Sequence, residues 1–89
     1  MTEAEFRAQA VENGFADFQF KEYASDLDGP LHTHPFAVTL LVTSGEFALQ
    51  FADRKETYPT GVVYTLGANV LHAERGGPQG AVALLAKKH

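Results

Sequence analysis

Two histidines separated by one residue, His32 and His34, are the side chains of this sequence best suited to chemistry. In an extended strand, residues two positions apart project from the same face. Their imidazoles would therefore lie side by side, which suits two ligands of one metal ion, because imidazole is the commonest metal ligand among side chains. The same spacing also fits two hydrogen-bonded histidines of a protein core. The pair alone leaves both interpretations open.

The strand that would carry the pair is predicted to cover residues 31–43. The even positions that follow the histidines are all apolar, namely Phe36, Val38, Leu40 and Val42. An apolar residue at every second position indicates the buried face of a strand. The histidines are therefore expected at the mouth of an apolar interior.

The composition limits the kinds of protein that this chain can be. The 89 residues, 45% hydrophobic and 20% charged, fit one globular domain, residues 1–89. A net charge of −4, with no basic run beyond Lys87 and Lys88, argues against nucleic acid or an anionic membrane as a partner. There is no cysteine, which excludes disulfides and thiolate ligands. The N-terminal residues are acidic and lack the apolar segment of a signal peptide, so we expect a soluble cytoplasmic protein.

The first fourteen residues predict a helix. Thr2 and Glu5 have the spacing of a capping box, in which each side chain bonds to the backbone of the other residue. Gly14 suits the left-handed position that ends a helix. Phe6 and Val11 are expected to anchor the helix to the rest of the protein.

Residues 15–89 change to a two-residue periodicity, which predicts strands. Turn residues at 25–30, 44–45, 52–53, 58–61 and 67–69 and a glycine-rich loop at 76–80 divide this region into seven or eight short strands. Several short strands with turns at near-regular spacing are typical of an all-β sandwich or barrel.

A third histidine, His72, lies on a later predicted strand. His32 and His34 form the H-x-H of a motif that Gly45 closes, and Gly61 and His72 have the spacing of a second motif. The two motifs resemble those of the cupin superfamily, and the whole chain is similar to very small single-domain cupins. The resemblance implies a jelly-roll β-barrel with a short N-terminal helix. It also implies a metal site near one end of the barrel.

The chain departs from the cupin pattern at one functional position. The glutamate of the first motif, usually the fourth metal ligand, is replaced by Val38, which cannot bind metal. The expected metal ligands are therefore His32, His34 and His72. Three imidazoles suit one divalent Zn, Fe, Mn, Ni, Co or Cu ion. The alternative is a cupin without metal, in which the histidines bond to each other and to water.

Glu74 shares the parity of His72, so it is a candidate catalytic acid or base. It could also orient an imidazole, act as a fourth ligand, or be a solvated carboxylate at the end of a strand. Tyr64 and Gln50 are weaker candidates for polar contacts inside the barrel, since packing and surface roles suit them better.

The resemblance implies two possible functions. The first is a metal-dependent enzyme, oxygenase- or isomerase-like, acting on a small molecule at a three-histidine centre. The second is a non-catalytic module that binds or senses a small ligand. A homodimer is expected in both cases, because a small core and open sheet edges favour pairing.

Overall fold

The computed structural model describes residues 1–89. One helix and five strands follow one another along the chain: α1 (Glu3–Glu12), β1 (Ala16–Tyr23), β2 (Ala37–Gln50), β3 (Lys55–Pro59), β4 (Val63–Leu66) and β5 (Ala73–Lys88). All strand pairs are antiparallel, in the order β1-β5-β2-β3, and β4 also pairs with β2. The predicted all-β fold with a short N-terminal helix is confirmed.

Helix α1 begins with the predicted capping box, since the Thr2 hydroxyl accepts from the Glu5 N–H and the Glu5 carboxylate accepts from the Thr2 N–H. Phe6 is buried as predicted, but Val11 is 63% exposed and Ala10 is buried in its place. Residues four apart share one face of a helix, so Ala10 follows Phe6 inward whereas Val11 turns away. No helix of the chain combines the length and apolarity needed to cross a membrane.

The prediction of seven or eight short strands is wrong, because two long strands replace most of them. β2 has 14 residues and β5 has 16. The predicted turn at residues 44–45 is a β-bulge inside β2, where Gly45 has a φ of 71°. The predicted loop at 76–80 lies within β5, where residues 77–80 face the single residue Glu46. A bulge bends a strand without ending it, and a glycine with positive φ permits that bend.

These bends let one continuous sheet fold over on itself. The first part of β2 pairs with β4 and with the end of β5, which in turn pairs with β1. The second part of β2 pairs with β3 and with the start of β5. Inner side chains of both parts form one core: Tyr23, Leu40, Val42, Phe47, Leu49, Phe51, Leu66, Ala81, Ala83 and Leu85. Helix α1 covers the outer side, where Phe6 packs on Leu41 and Leu84.

The strand predicted over residues 31–43 begins later, at Ala37. Proline has no N–H to donate to a strand ladder, and Pro30 and Pro35 flank the two histidines. His34 therefore lies in an irregular segment, and His32 takes part only in an isolated bridge with His72.

Candidate metal centre

A pair of backbone hydrogen bonds holds two of the predicted ligands together. The His32 N–H donates to the His72 carbonyl at 2.8 Å, and the His72 N–H donates to the His32 carbonyl at 3.0 Å. Two residues that exchange both bonds across an antiparallel pair project their side chains to the same side. The position of these two imidazoles is thus fixed by the backbone, directly before β5.

His34 reaches the same point from the irregular segment. Its carbonyl accepts the Asn69 N–H at 2.7 Å, which ties the segment to the loop before His72. Asn69 has a φ of 62°, a conformation that asparagine tolerates better than most residues. The imidazole of His34 stacks on the Phe36 ring, with 4.9 Å between centroids and 4° between planes. This stacking sets the direction in which the ring faces its neighbours.

The three predicted histidine ligands are brought together. The ring centroids of His32 and His34 are 4.9 Å apart, those of His32 and His72 are 4.7 Å apart, and those of His34 and His72 are 4.9 Å apart. One donor atom from each histidine and one from Glu74 all lie within 4.8 Å of one another. This group could hold a metal ion.

Glu74 points into the cluster, so it is not the solvated carboxylate that was one of its possible roles. Its Oε2 lies 3.2 Å from His32 Nε2, and its Oε1 lies 3.4 Å from His72 Nε2. The side chain is 20% exposed. Val38 lines the adjoining cavity, as its parity predicted. The carboxylate missing at Val38 is therefore matched by a carboxylate from β5.

The hydrogen bonds of two rings determine which nitrogens face the cluster. The Nδ1–H of His32 donates to the Pro30 carbonyl at 2.9 Å, and the Nδ1–H of His72 donates to the Val70 carbonyl at 2.7 Å. A carbonyl only accepts, so each Nδ1 carries the proton and each neutral ring turns an Nε2 lone pair toward the cluster. The Nε2 of His72 is fully buried and has no hydrogen-bond partner. Buried polar atoms almost always have a partner, and a metal ion would supply one here.

The electrostatics of the cluster favour the ligand forms of its side chains. Burial acts to raise the pKa of Glu74, but a bond from its own backbone and the attraction of His32 and His72, which acts when these rings are protonated, outweigh burial, so this pKa lies below its usual 4.5. The pKa of His34 lies below 6.5, first because the ring is desolvated and second because a protonated His34 would be repelled by a protonated His72. At neutral pH Glu74 is therefore ionised and His34 is neutral, as metal binding requires.

The cluster opens into a cavity of about 100 Å³ in the barrel interior. His34, His72 and Glu74 form its polar end, and most of the other lining side chains are apolar. Tyr64 belongs to this lining, and its ring also packs on Tyr58. Gln50 does not, because its amide donates to the backbone carbonyls of Phe51 and Arg54.

Sequence reasoning missed the contribution of β1 to the cavity. Gln19, Lys21 and Tyr23 line it, whereas Phe18 and Phe20 lie on the other face of the strand. Phe18 packs against Phe6 of the helix, with 6.3 Å between ring centroids. The alternation along β1 was visible in the sequence, but its more apolar face is the outer one, where Phe18 packs against α1 and Phe20 is 55% exposed.

No protein-family model matches the sequence, and no curated protein matches it significantly. Solved structures do resemble it. Protein NMB1881 from Neisseria meningitidis is 26% identical over 82% of this chain and 73% of its own, with a TM-score of 0.67. A cupin-2 domain containing protein from Shewanella frigidimarina is 17% identical over 86% and 72%, with a TM-score of 0.71. An RmlC-like cupin protein from Desulfovibrio desulfuricans is 17% identical over 86% and 84%, with a TM-score of 0.63. The chain therefore has the fold of the cupin superfamily.

Proposed function

We propose that this protein binds one divalent transition metal ion through His32, His34 and His72 and uses it to act on a small molecule. The observation that carries the proposal is the buried Nε2 of His72, which has no hydrogen-bond partner among the protein atoms. Three imidazoles and one carboxylate suit Zn, Fe, Mn, Ni, Co or Cu. Glu74 is the fourth ligand of this set.

The distances within the cluster support the proposal. Metal–ligand bonds of about 2.0–2.1 Å in tetrahedral geometry put neighbouring ligand atoms about 3.3 Å apart. Glu74 Oε2 and His32 Nε2 are 3.2 Å apart, and Glu74 Oε1 and His72 Nε2 are 3.4 Å apart. These two distances involve different carboxylate oxygens, and the donor atoms of the whole group lie within 4.8 Å of one another, so shifts of about 1 Å would bring one atom from each residue to a single ion.

An enzymatic role is supported by the carboxylate beside the histidines. When bound, the metal would act as a Lewis acid that polarises an oxygen atom of the small molecule in the cavity. Glu74 is ionised at neutral pH, so the carboxylate oxygen that does not bind the metal can accept a proton from a small molecule in the cavity. Returning that proton to another atom is an isomerase-like reaction, and an oxygenase-like reaction would use the same carboxylate to deprotonate its substrate.

A non-catalytic binding or sensing module is the second candidate. Most side chains that line the cavity are apolar, and its volume of about 100 Å³ is below the usual range of ligand pockets, roughly 300–1,000 Å³. A small and mostly apolar pocket suits the binding of a small ligand without further chemistry. Release of a bound small molecule, unchanged, on denaturing the purified protein would support this second candidate.

Elemental analysis of protein purified without added metal or chelator tests the metal site. We expect one ion per chain, and titration of the metal-free protein with Co²⁺ should give a visible spectrum typical of nitrogen and oxygen ligands. His72→Ala and His32→Ala should both abolish binding. His32 is partly exposed, so its variant should fold even if the buried His72 does not tolerate replacement.

The chain offers a matched control for these variants. It contains four histidines, and His89 is the one outside the cluster. His89→Ala should bind metal like the unmodified protein. Full binding by His32→Ala and a folded His72→Ala protein would contradict the proposal.

A further inference from the structure

Two lysines line the cavity from neighbouring strands. Lys21 lies on β1 opposite Ala83 of β5, and Lys87 lies on β5 opposite Val38 of β2. Both belong to the lining that also contains His34 and Glu74. Lys21 is exposed and Lys87 is half-buried, so they lie where the cavity meets solvent. Two ammonium groups therefore flank the opening that leads to the histidine cluster.

Neither ammonium group forms an ion pair within 4.0 Å, although the charge of Lys21 does act on the Glu74 carboxylate. Ion pairs within 4.0 Å engage all three arginines of the chain, whereas Lys21 and Lys87 form none. The chain has eleven acidic and seven basic residues, so carboxylates are not scarce. Two unpaired cations at one opening attract an anion from solution.

Aromatic rings of the same cavity hold both cations. Lys21 Nζ lies 5.4 Å from the centroid of the Tyr23 ring, and Lys87 Nζ lies 5.0 Å from the centroid of the Phe36 ring. A ring face attracts an ammonium group without removing its charge, so the hydrogen-bond donors stay available to a ligand. Phe36 also stacks on His34, so its ring lies between the Lys87 ammonium group and the histidine cluster.

We propose that the cavity selects a small carboxylate, whose negative charge is attracted by Lys21 and Lys87 and one of whose oxygens is directed to the histidine cluster. The second contact rests on the proposed metal site, whereas the first does not. A carboxylate suits this cavity better than a phosphate does, because most of the lining side chains are apolar and a phosphate group is polar on every side.

Malonate is the probe, and the neutral malonamide of similar shape is the comparison. Calorimetric titration of the zinc-loaded protein should detect malonate and give at least tenfold weaker binding of malonamide. Lys21→Gln and Lys87→Gln should each weaken malonate binding roughly three- to tenfold, the range for losing one charged hydrogen bond at a partly exposed site. Lys88→Gln is the matched control, because Lys88 is adjacent in sequence but lies over Phe15, outside the cavity. Its affinity should stay within about twofold.

The outcomes separate this inference from the proposed function. Equal binding of malonate and malonamide, or unchanged malonate affinity in the Lys21→Gln, Lys87→Gln double variant, would overturn the inference even in a protein that takes up metal. Tighter binding of inorganic phosphate than of malonate would overturn the carboxylate class. If no metal binds, the same titrations of metal-free protein still test the lysines, and a lysine-dependent preference for malonate supports the inference without the metal site.

Discussion

Replacing Glu74 by glutamine should change stability in opposite directions in the metal-free and metal-loaded protein. In the metal-free protein at pH 8, the carboxylate faces the unpartnered Nε2 of the buried His72. The glutamine amide has nearly the same shape but can donate a hydrogen bond to that lone pair. Satisfying a buried acceptor contributes about 0.5–1.5 kcal/mol. We therefore expect metal-free Glu74→Gln to be as stable as the parent protein or slightly more stable.

The metal-loaded protein should respond in the other direction. Losing the anionic ligand should weaken metal affinity by roughly 10- to 100-fold, the effect of removing groups that support a bound ion. At one saturating metal concentration, this loss reduces the stability that the metal contributes by about 1.4–2.7 kcal/mol. For a domain of this size, each kcal/mol shifts the melting temperature by about 4–8 °C. The melting temperature of loaded Glu74→Gln should therefore fall by roughly 6–20 °C.

Thermal unfolding with and without Zn²⁺ at pH 8 measures both effects. Glu46→Gln is the control, because Glu46 is a half-buried glutamate of β2 that is not part of the cluster. Its melting temperature should rise with metal as much as that of the parent protein. If Glu74→Gln also kept the full metal-dependent rise, Glu74 would neither bind nor orient the ion, and the assignment of a fourth ligand would be refuted.

Three further predictions concern the cluster and the strand bends. The metal-free protein should lose stability as pH falls below 6.5, because the pKa of His34 is lowered in the folded protein and the unfolded chain therefore protonates this ring first. His34→Gln should reduce the pH dependence of the free energy of unfolding, measured by urea unfolding between pH 8 and pH 5. Adding Val38→Glu to Glu74→Gln should restore metal affinity, measured by competition with a chromogenic chelator, and no recovery would mean that position 38 does not reach the ion. Gly45→Ala should lower the free energy of unfolding, measured in denaturant, by more than 2 kcal/mol, because a Cβ at this position would overlap a carbonyl oxygen of β5. Gly61→Ala is the control: its backbone would be strained by the positive φ, but its Cβ would meet no atom, so it should cost about 1 kcal/mol.

The three histidines of the site were predictable from the sequence, although the structure brings them together by other means than the predicted strand alternation. Alternation along a strand was expected to place His32 and His34 side by side. In the structure two prolines keep both residues out of β2, and a backbone pair with His72 and a bond from Asn69 position them. Proline marks where a ladder is interrupted, but the partner that replaces the ladder is distant in the chain. Motif spacing therefore identified the residues of the cluster better than strand periodicity did.

Elsewhere in the fold, features that depend on neighbouring residues were predictable from the sequence, and features that depend on distant strand pairing were not. The capping box at Thr2 was predictable because it depends on residues within one turn of helix. Gly45 was predicted to end a strand, yet the strand continues past it. A positive φ serves a turn and a bulge equally well, and only the pairing with β5 decides between them. The inward direction of Glu74 followed its parity with His72, but its distances to His32 and His72 could not be read from the sequence.

The pairing of His32 with His72 also determines when the site can exist during folding. The two residues are 40 positions apart in the chain, and β5, which follows His72, pairs with both β1 and β2. Such non-local pairing makes folding slow, and contacts completed after the rate-limiting barrier do not accelerate it. A metal bound by these residues would therefore increase kinetic stability: it would lower the unfolding rate and leave the refolding rate unchanged.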